Sequence, residues 1–141
     1  MNREIKFRAW DNYSKSFIND DEYLIGLDGK FYRMDFYSGI ENYEDGNLIW
    51  NELDNITLSQ FTGLLDKNGK EIYEGDIVCW TFNDKLKSQI VFHDGCFGHL
   101  NLTGINKEHS EFIPINKVRA EYMIVCSNIY QNPELLTANL N

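Results

Sequence analysis

Glycine next to Asp or Asn recurs along this chain at the spacing of short strands. Asp28-Gly29, Asn68-Gly69, Gly75-Asp76 and Asp94-Gly95 each fall between runs of alternating or clustered apolar residues. Such pairs tolerate the positive φ angles that tight turns demand, and they punctuate the chain too often for long helices. The runs between them read as strands. Ile5, Phe7 and Ala9 alternate with Lys6, Arg8 and Trp10, a period of two. Tyr23 to Leu27, Asp28-Gly29 and Lys30 to Phe36 read as a hairpin closed by a type I′ turn. Ile56 to Phe61 alternates again, and Asp66-Lys67-Asn68-Gly69 turns the chain. Ile77 to Phe82 is apolar on both faces, which predicts an interior strand. Leu86 to His93, Phe97 to Leu102 and Tyr122 to Ser127 complete the series.

Helix signals are confined to the end. Asn132-Pro133-Glu134-Leu135-Leu136 offers a capping residue, Pro at the first helical position and an acid in the first turn. It predicts a short C-terminal helix docked through Leu135 or Leu136. Between Tyr37 and Leu53 the reading is open: Leu48-Ile49-Trp50 suits a strand, and Leu53 to Leu58 has room for a turn of helix. The expected fold is mostly β, all-β or α+β. A small β-barrel-like core over 61–141 follows an acidic N-terminal β module over 1–60, the two forming one compact body.

Charge divides the chain more sharply than pattern does. Of 22 acids and 13 bases, ten acids but only Lys30 and Arg33 lie between Asp20 and Asp54, a local balance of −8; the remainder is nearly neutral. Such a stretch repels DNA and suits either simple solvation or a basic protein partner. Its carboxylates Glu41, Glu44, Asp45, Glu52 and Asp54 are the candidate partner-contacting groups. With 141 residues and 43% apolar content the chain has material for one ordinary core. No apolar run approaches the ~18 residues of a membrane span. The opening Met1-Asn2-Arg3-Glu4-Ile5-Lys6 has no signal-peptide core, so a cytoplasmic protein is expected. Cys79, Cys96 and Cys126 are odd in number and widely spaced, unlike a disulfide framework; Cys79 and Cys126 sit in apolar runs and read as core. The Asn-x-Thr sequons at Asn55 and Asn101 are chance matches without secretion.

Groups able to do chemistry are few. His93-x-x-Cys96-x-x-His99 is the one cluster with metal-like ligands, spread across a predicted hairpin turn. A tetrahedral site would need His109 or Asp94 as well, and a Cys-His nucleophile pair would need an orienting third group. Glu71, Glu74 and Asp76 crowd a turn and could bind a cation or work as acids, but turn carboxylates more often accept local backbone N–H bonds. Trp80, Phe82, Phe92 and Phe97 have the rings of a base-stacking platform, but with only Lys85 and Lys87 nearby they read as core. No phosphate loop or dinucleotide fingerprint occurs, and no cofactor is expected.

Three stretches together resemble a known family. They are Lys6-Phe7-Arg8-Ala9-Trp10-Asp11, the long run from Gln60-Phe61-Thr62-Gly63 through Asp66-Lys67-Asn68-Gly69-Lys70-Glu71-Ile72-Tyr73-Glu74-Gly75-Asp76-Ile77-Val78, and Asn128-Ile129-Tyr130-Gln131-Asn132-Pro133-Glu134-Leu135-Leu136. In this order they resemble the YopX family of phage and prophage proteins. The stretches between Phe17 and Ser59 and between Asn83 and Tyr122 match no motif. The resemblance implies a phage-encoded, largely β protein of the bacterial cytosol, and it supplies no catalytic residue. Read physically, the motifs hold apolar core groups, turn glycines, and an Arg8 expected to pair with Asp11 or Glu74.

Three function classes follow. One is an accessory protein that binds a basic host or phage protein. The others are a nucleic-acid-binding small barrel and an enzyme using His93, Cys96 or His99. The acidic stretch favours the first, without nucleic-acid or membrane binding. Few Pro or Lys protect strand edges, so a symmetric homo-oligomer is expected.

Overall fold

The computed structural model describes residues 3–19, 23–36, 48–103 and 111–136, with the side chains of 35, 36, 48 and 49 left aside. Strand accounts for 56% of these residues and helix for 7%, so the chain is mostly β. It divides into two compact units, Met1–Arg8 with Leu58–Asn141, and Ala9–Thr57.

The larger unit is built on a five-stranded antiparallel sheet. Its strands are β8 (Asp76–Trp80), β9 (Asn83–His93), β10 (Cys96–Asn101), β11 (Ile113–Pro114) and β12 (Met123–Asn128), in the order β11-β10-β9-β8-β12. Sheet structure curls into a half-barrel. Register shifts between Cys79 and Trp80 and between Val125 and Ser127 supply bends of the kind that curl a sheet. As its apolar run predicts, β8 is interior, with Ile77, Val78 and Trp80 buried. Ile72, Val78, Trp80, Ile90, Ala120 and Met123 form the core cluster. Strands β6 (Ile56–Leu65) and β7 (Glu71–Tyr73) pair antiparallel, and Phe61 N–H donates to Lys6 O at 2.8 Å.

In the smaller unit, Trp10 and Asp11 at the end of β1 (Phe7–Asp11) pair with β2 (Ser16–Phe17), and the Trp10 and Phe17 rings meet edge to face at 4.9 Å. Strands β3 (Tyr23–Ile25), β4 (Phe31–Phe36) and β5 (Leu48–Leu53) form an antiparallel meander. Leu48-Ile49-Trp50 is therefore strand. The residues after Leu53 bend straight into β6, with no turn of helix, because Ile56, Leu58 and Gln60 continue the period-two alternation.

The glycine turns differ from one another. Asp94 and Gly95 both have positive φ, 49° and 81°, as a two-residue type I′ turn requires. At Asp28-Gly29 only Gly29 is positive, and Gly29 N–H donates to Gly26 O. That is a type I turn closed by a left-handed glycine, in place of the expected type I′. Asp66 to Gly69 repeats it, with Gly69 N–H donating to Asp66 O at 3.0 Å. Near the end, Pro133–Leu136 is one 3-10 turn with Leu135 half-buried and Leu136 exposed. A four-residue helix, α1 (Lys117–Ala120), was not expected; Asn116 caps it by accepting from Arg119 N–H.

Candidate functional site

The three family stretches meet inside the larger unit. Arg8 Nη2 lies 2.8 Å from Asp76 Oδ1, and Asp76 is 1% exposed. Asp76 Oδ2 accepts from Tyr73 N–H at 2.8 Å, the local backbone bond expected of a turn carboxylate. Arg8 also donates to the Glu74 backbone oxygen, and its guanidinium lies over the Tyr73 ring at 4.9 Å and the Tyr130 ring at 5.9 Å. Tyr130 in turn shares a hydrogen bond with Ser59 at 2.8 Å. The ion pair of Arg8 is thus with Asp76, where Asp11 or the Glu74 carboxylate was expected. Asp11 is occupied by the N–H groups of Tyr13 and Ser14 and by the Asn55 amide. Burial pushes the Asp76 carboxyl up and the Arg8 charge opposes it, with burial the stronger. Two further motif acids are also engaged. Glu71 holds Lys6 at 2.6 Å and the Tyr73 hydroxyl at 2.8 Å, which keep its carboxyl low. Asp66 accepts from Asn68 and Lys70 through one oxygen and from Val125 N–H on β12 through the other. These motif groups act as fasteners of the fold.

His93, Cys96 and His99 do not come together. His93 and Cys96 are directly opposite in the hairpin register, while His99 pairs with Ile90. Three positions separate Cys96 from His99, and an odd spacing in a strand puts side chains on opposite faces. The Cys96 thiol points to the His93 backbone oxygen at 3.6 Å, and the His93 ring lies 3.2 Å from Asp94. His109 lies outside the described residues, and among those described no three His, Cys, Asp or Glu are grouped as a metal site. Cys79 is half-buried and Cys126 exposed, so neither is core; their sulfurs are 2.7 Å apart across β8 and β12. The shift at Val125/Ser127 turns Cys126 out of the expected alternation.

His99 stands instead on a pocket of about 310 Å³ with Trp80, Phe82, Leu86, Asn101, Arg119 and Tyr122. Of the four aromatics read as core, Trp80 is buried, but Phe82 is 68% exposed and Phe92 52%. Phe82 lies in the turn beyond the bulge at Trp80, where the sheet no longer covers it. Sequence periodicity places His99 and Asn101 on one face, but the contribution of Arg119 and Tyr122 carries no sequence signal.

A second surface lies on the meander. The register sets Leu24, Tyr32 and Glu52 in one row and Met34 and Trp50 in the next, all on one face. Trp50 is 43% exposed, Glu52 reaches Lys30 at 3.3 Å, and Asp28 accepts from the Tyr32 hydroxyl at 2.7 Å. Asp54 is exposed just beyond β5. Glu41, Glu44 and Asp45 lie outside the described residues.

No helix among the described residues is long and apolar enough to cross a membrane. The crystal structure of protein EF1440 from Enterococcus faecalis is similar to this chain, with a TM-score of 0.59 and 28% identity over 96% of this chain and 99% of that one. No curated protein matches the sequence. The family model described as YopX protein matches residues 6–137. That span takes in all three motif stretches and nearly the whole chain, so the chain belongs to the YopX family.

Proposed function

We propose that this protein is a non-enzymatic accessory protein of phage or prophage origin, working in the bacterial cytoplasm by binding a basic host or phage protein. The observation that carries this reading is the meander face that holds exposed Trp50, Glu52 and Tyr32, with Asp28 on the Tyr32 hydroxyl, within the part of the chain whose balance is −8. Exposed aromatic area next to carboxylates suits a partner offering Lys or Arg, whose aliphatic stem packs on the ring while its charge meets the acids. The same charge disfavours nucleic acid.

The test is recovery of a basic partner from host cells by the tagged full chain. Neutralising Glu41, Glu44, Asp45, Glu52 and Asp54 to Asn or Gln is expected to leave folding intact and reduce recovery. Trp50→Ala is expected to do the same, and wild-type association weakens as salt rises. Unchanged recovery by both folded variants overturns the proposal. So does tight binding of duplex or single-stranded DNA near physiological salt.

A further inference from the structure

Neighbouring polar groups on the inner face of β10 are satisfied very unequally. The Trp80 indole N–H donates to Ser88 Oγ at 2.9 Å, and Ser88 donates on to Asn101 Oδ1 at 2.9 Å. His99, two residues before Asn101 on the same face, is 3% exposed, and among the described residues neither of its ring nitrogens has a hydrogen-bond partner. Its ring meets Trp80 edge to face at 5.0 Å, which satisfies neither nitrogen. Unmade hydrogen bonds in a dry site are expensive, and where one occurs beside satisfied neighbours it points to a missing partner.

We propose that the pocket at His99 binds a small planar heteroaromatic anion. Its ring lies among Trp80, Phe82 and Tyr122 and, with a small turn of the imidazole, completes a hydrogen bond to His99, while its acidic group rests on Arg119. Four observations agree. The volume of about 310 Å³ is at the small end of the roughly 300–1,000 Å³ usual for ligand sites. Phe82 and Tyr122 are large, exposed apolar groups at this pocket, and a flat ligand gives them a surface to cover. Arg119 is exposed and has no ion-pair partner among the described residues, and a guanidinium suits carboxylate or phosphate. Burial, reinforced by the Arg119 charge, holds the His99 pKa down to about 4, so its imidazole is neutral at pH 7. A neutral imidazole offers one donor and one acceptor, matching a ring nitrogen, ring N–H or ring carbonyl. The anion therefore belongs on Arg119, with the heterocycle inward.

Nucleoside monophosphates and free heteroaromatic carboxylates share this chemistry. The 15N-labelled full chain is titrated separately with AMP, GMP, CMP and UMP, and with indole-3-acetate and nicotinate. The Trp80 indole N–H and the His99 and Asn101 amides are followed. Saturable shifts centred on these groups are expected with one of the two classes, which names the source. Arg119→Gln is expected to weaken that ligand about tenfold and to leave its uncharged counterpart, nucleoside or carboxamide, unaffected. His99→Phe, which keeps a buried ring without nitrogens, is expected to weaken both. If His99→Phe does not fold, exposed Arg119 still carries the test. The proposal is overturned if no compound gives saturable shifts at millimolar concentration, or if binding survives Arg119→Gln undiminished.

Discussion

Arg8 and Asp76 face each other at 2.8 Å, one from the first family motif and one from the second, with Asp76 almost wholly buried. Removing one partner of a buried ion pair leaves the other charge uncompensated, which costs far more than the intact pair contributes. Arg8→Met is therefore expected to lower unfolding free energy by about 3–5 kcal/mol. Asp76→Asn on that background restores part of the loss, because Asn still accepts from Tyr73 N–H without a charge. Urea titration of the two singles and the double reads the coupling; strictly additive losses would show that the two groups do not act as a pair.

Gly75 has φ +85°, and a Cβ there would stand 2.8 Å from the Tyr130 ring. Its backbone is fixed on both sides, with its N–H on Ile90 O and its carbonyl accepting from Ile129 N–H. Gly75→Val combines backbone strain with a clash and is expected to cost roughly 1–3 kcal/mol. An unchanged urea midpoint would rule this turn out as a point of strain.

His99 makes stability fall with acid. Its folded pKa of about 4 lies below the ordinary 6.5, so between these values the unfolded chain binds the extra proton. Its contribution is complete above pH 6.5 and is lost as pH falls toward 4, amounting to about 3 kcal/mol. Denaturant melts of wild type and His99→Phe across this window should differ in slope. Parallel pH profiles would refute it.

Cys79 and Cys126 sulfurs are 2.7 Å apart on neighbouring strands. A mild thiol oxidant such as diamide is expected to join them, each thiol losing one hydrogen as the diazene becomes a hydrazine. Peptide mapping under non-reducing conditions should find the Cys79–Cys126 link within one chain, and Cys126→Ser should abolish it. Links running only between chains would contradict the geometry.

Strand edges in the smaller unit bear on assembly. Strand β12 has its outer edge engaged, with Lys67 N–H on Met123 O and Asp66 on Val125 N–H, whereas β3 and β5 end the meander on either side. An edge strand that nothing else covers favours pairing with another copy. Light scattering at micromolar concentration is expected to give a symmetric oligomer, and a mass of 16.5 kDa would exclude it.

What the sequence determined by itself was the local grammar. Period-two runs and Asp-Gly or Asn-Gly pairs located most strands, because side-chain alternation and positive φ are properties of a few adjacent residues. The short helix at Lys117 carries no such signal, since four residues are too few to show a period. The family stretches were legible as well, and their acids and glycines do serve turns. Only the tertiary structure decided partners. Nothing near Arg8 names Asp76, because β6, β7 and β8 must first fold back on the N-terminal segment. The metal-like spacing of His93, Cys96 and His99 dissolves once register sets His99 on the opposite face. The pocket that His99 joins draws on β8, β9, β10 and the residues around α1, brought together by long-range pairing that no local pattern encodes.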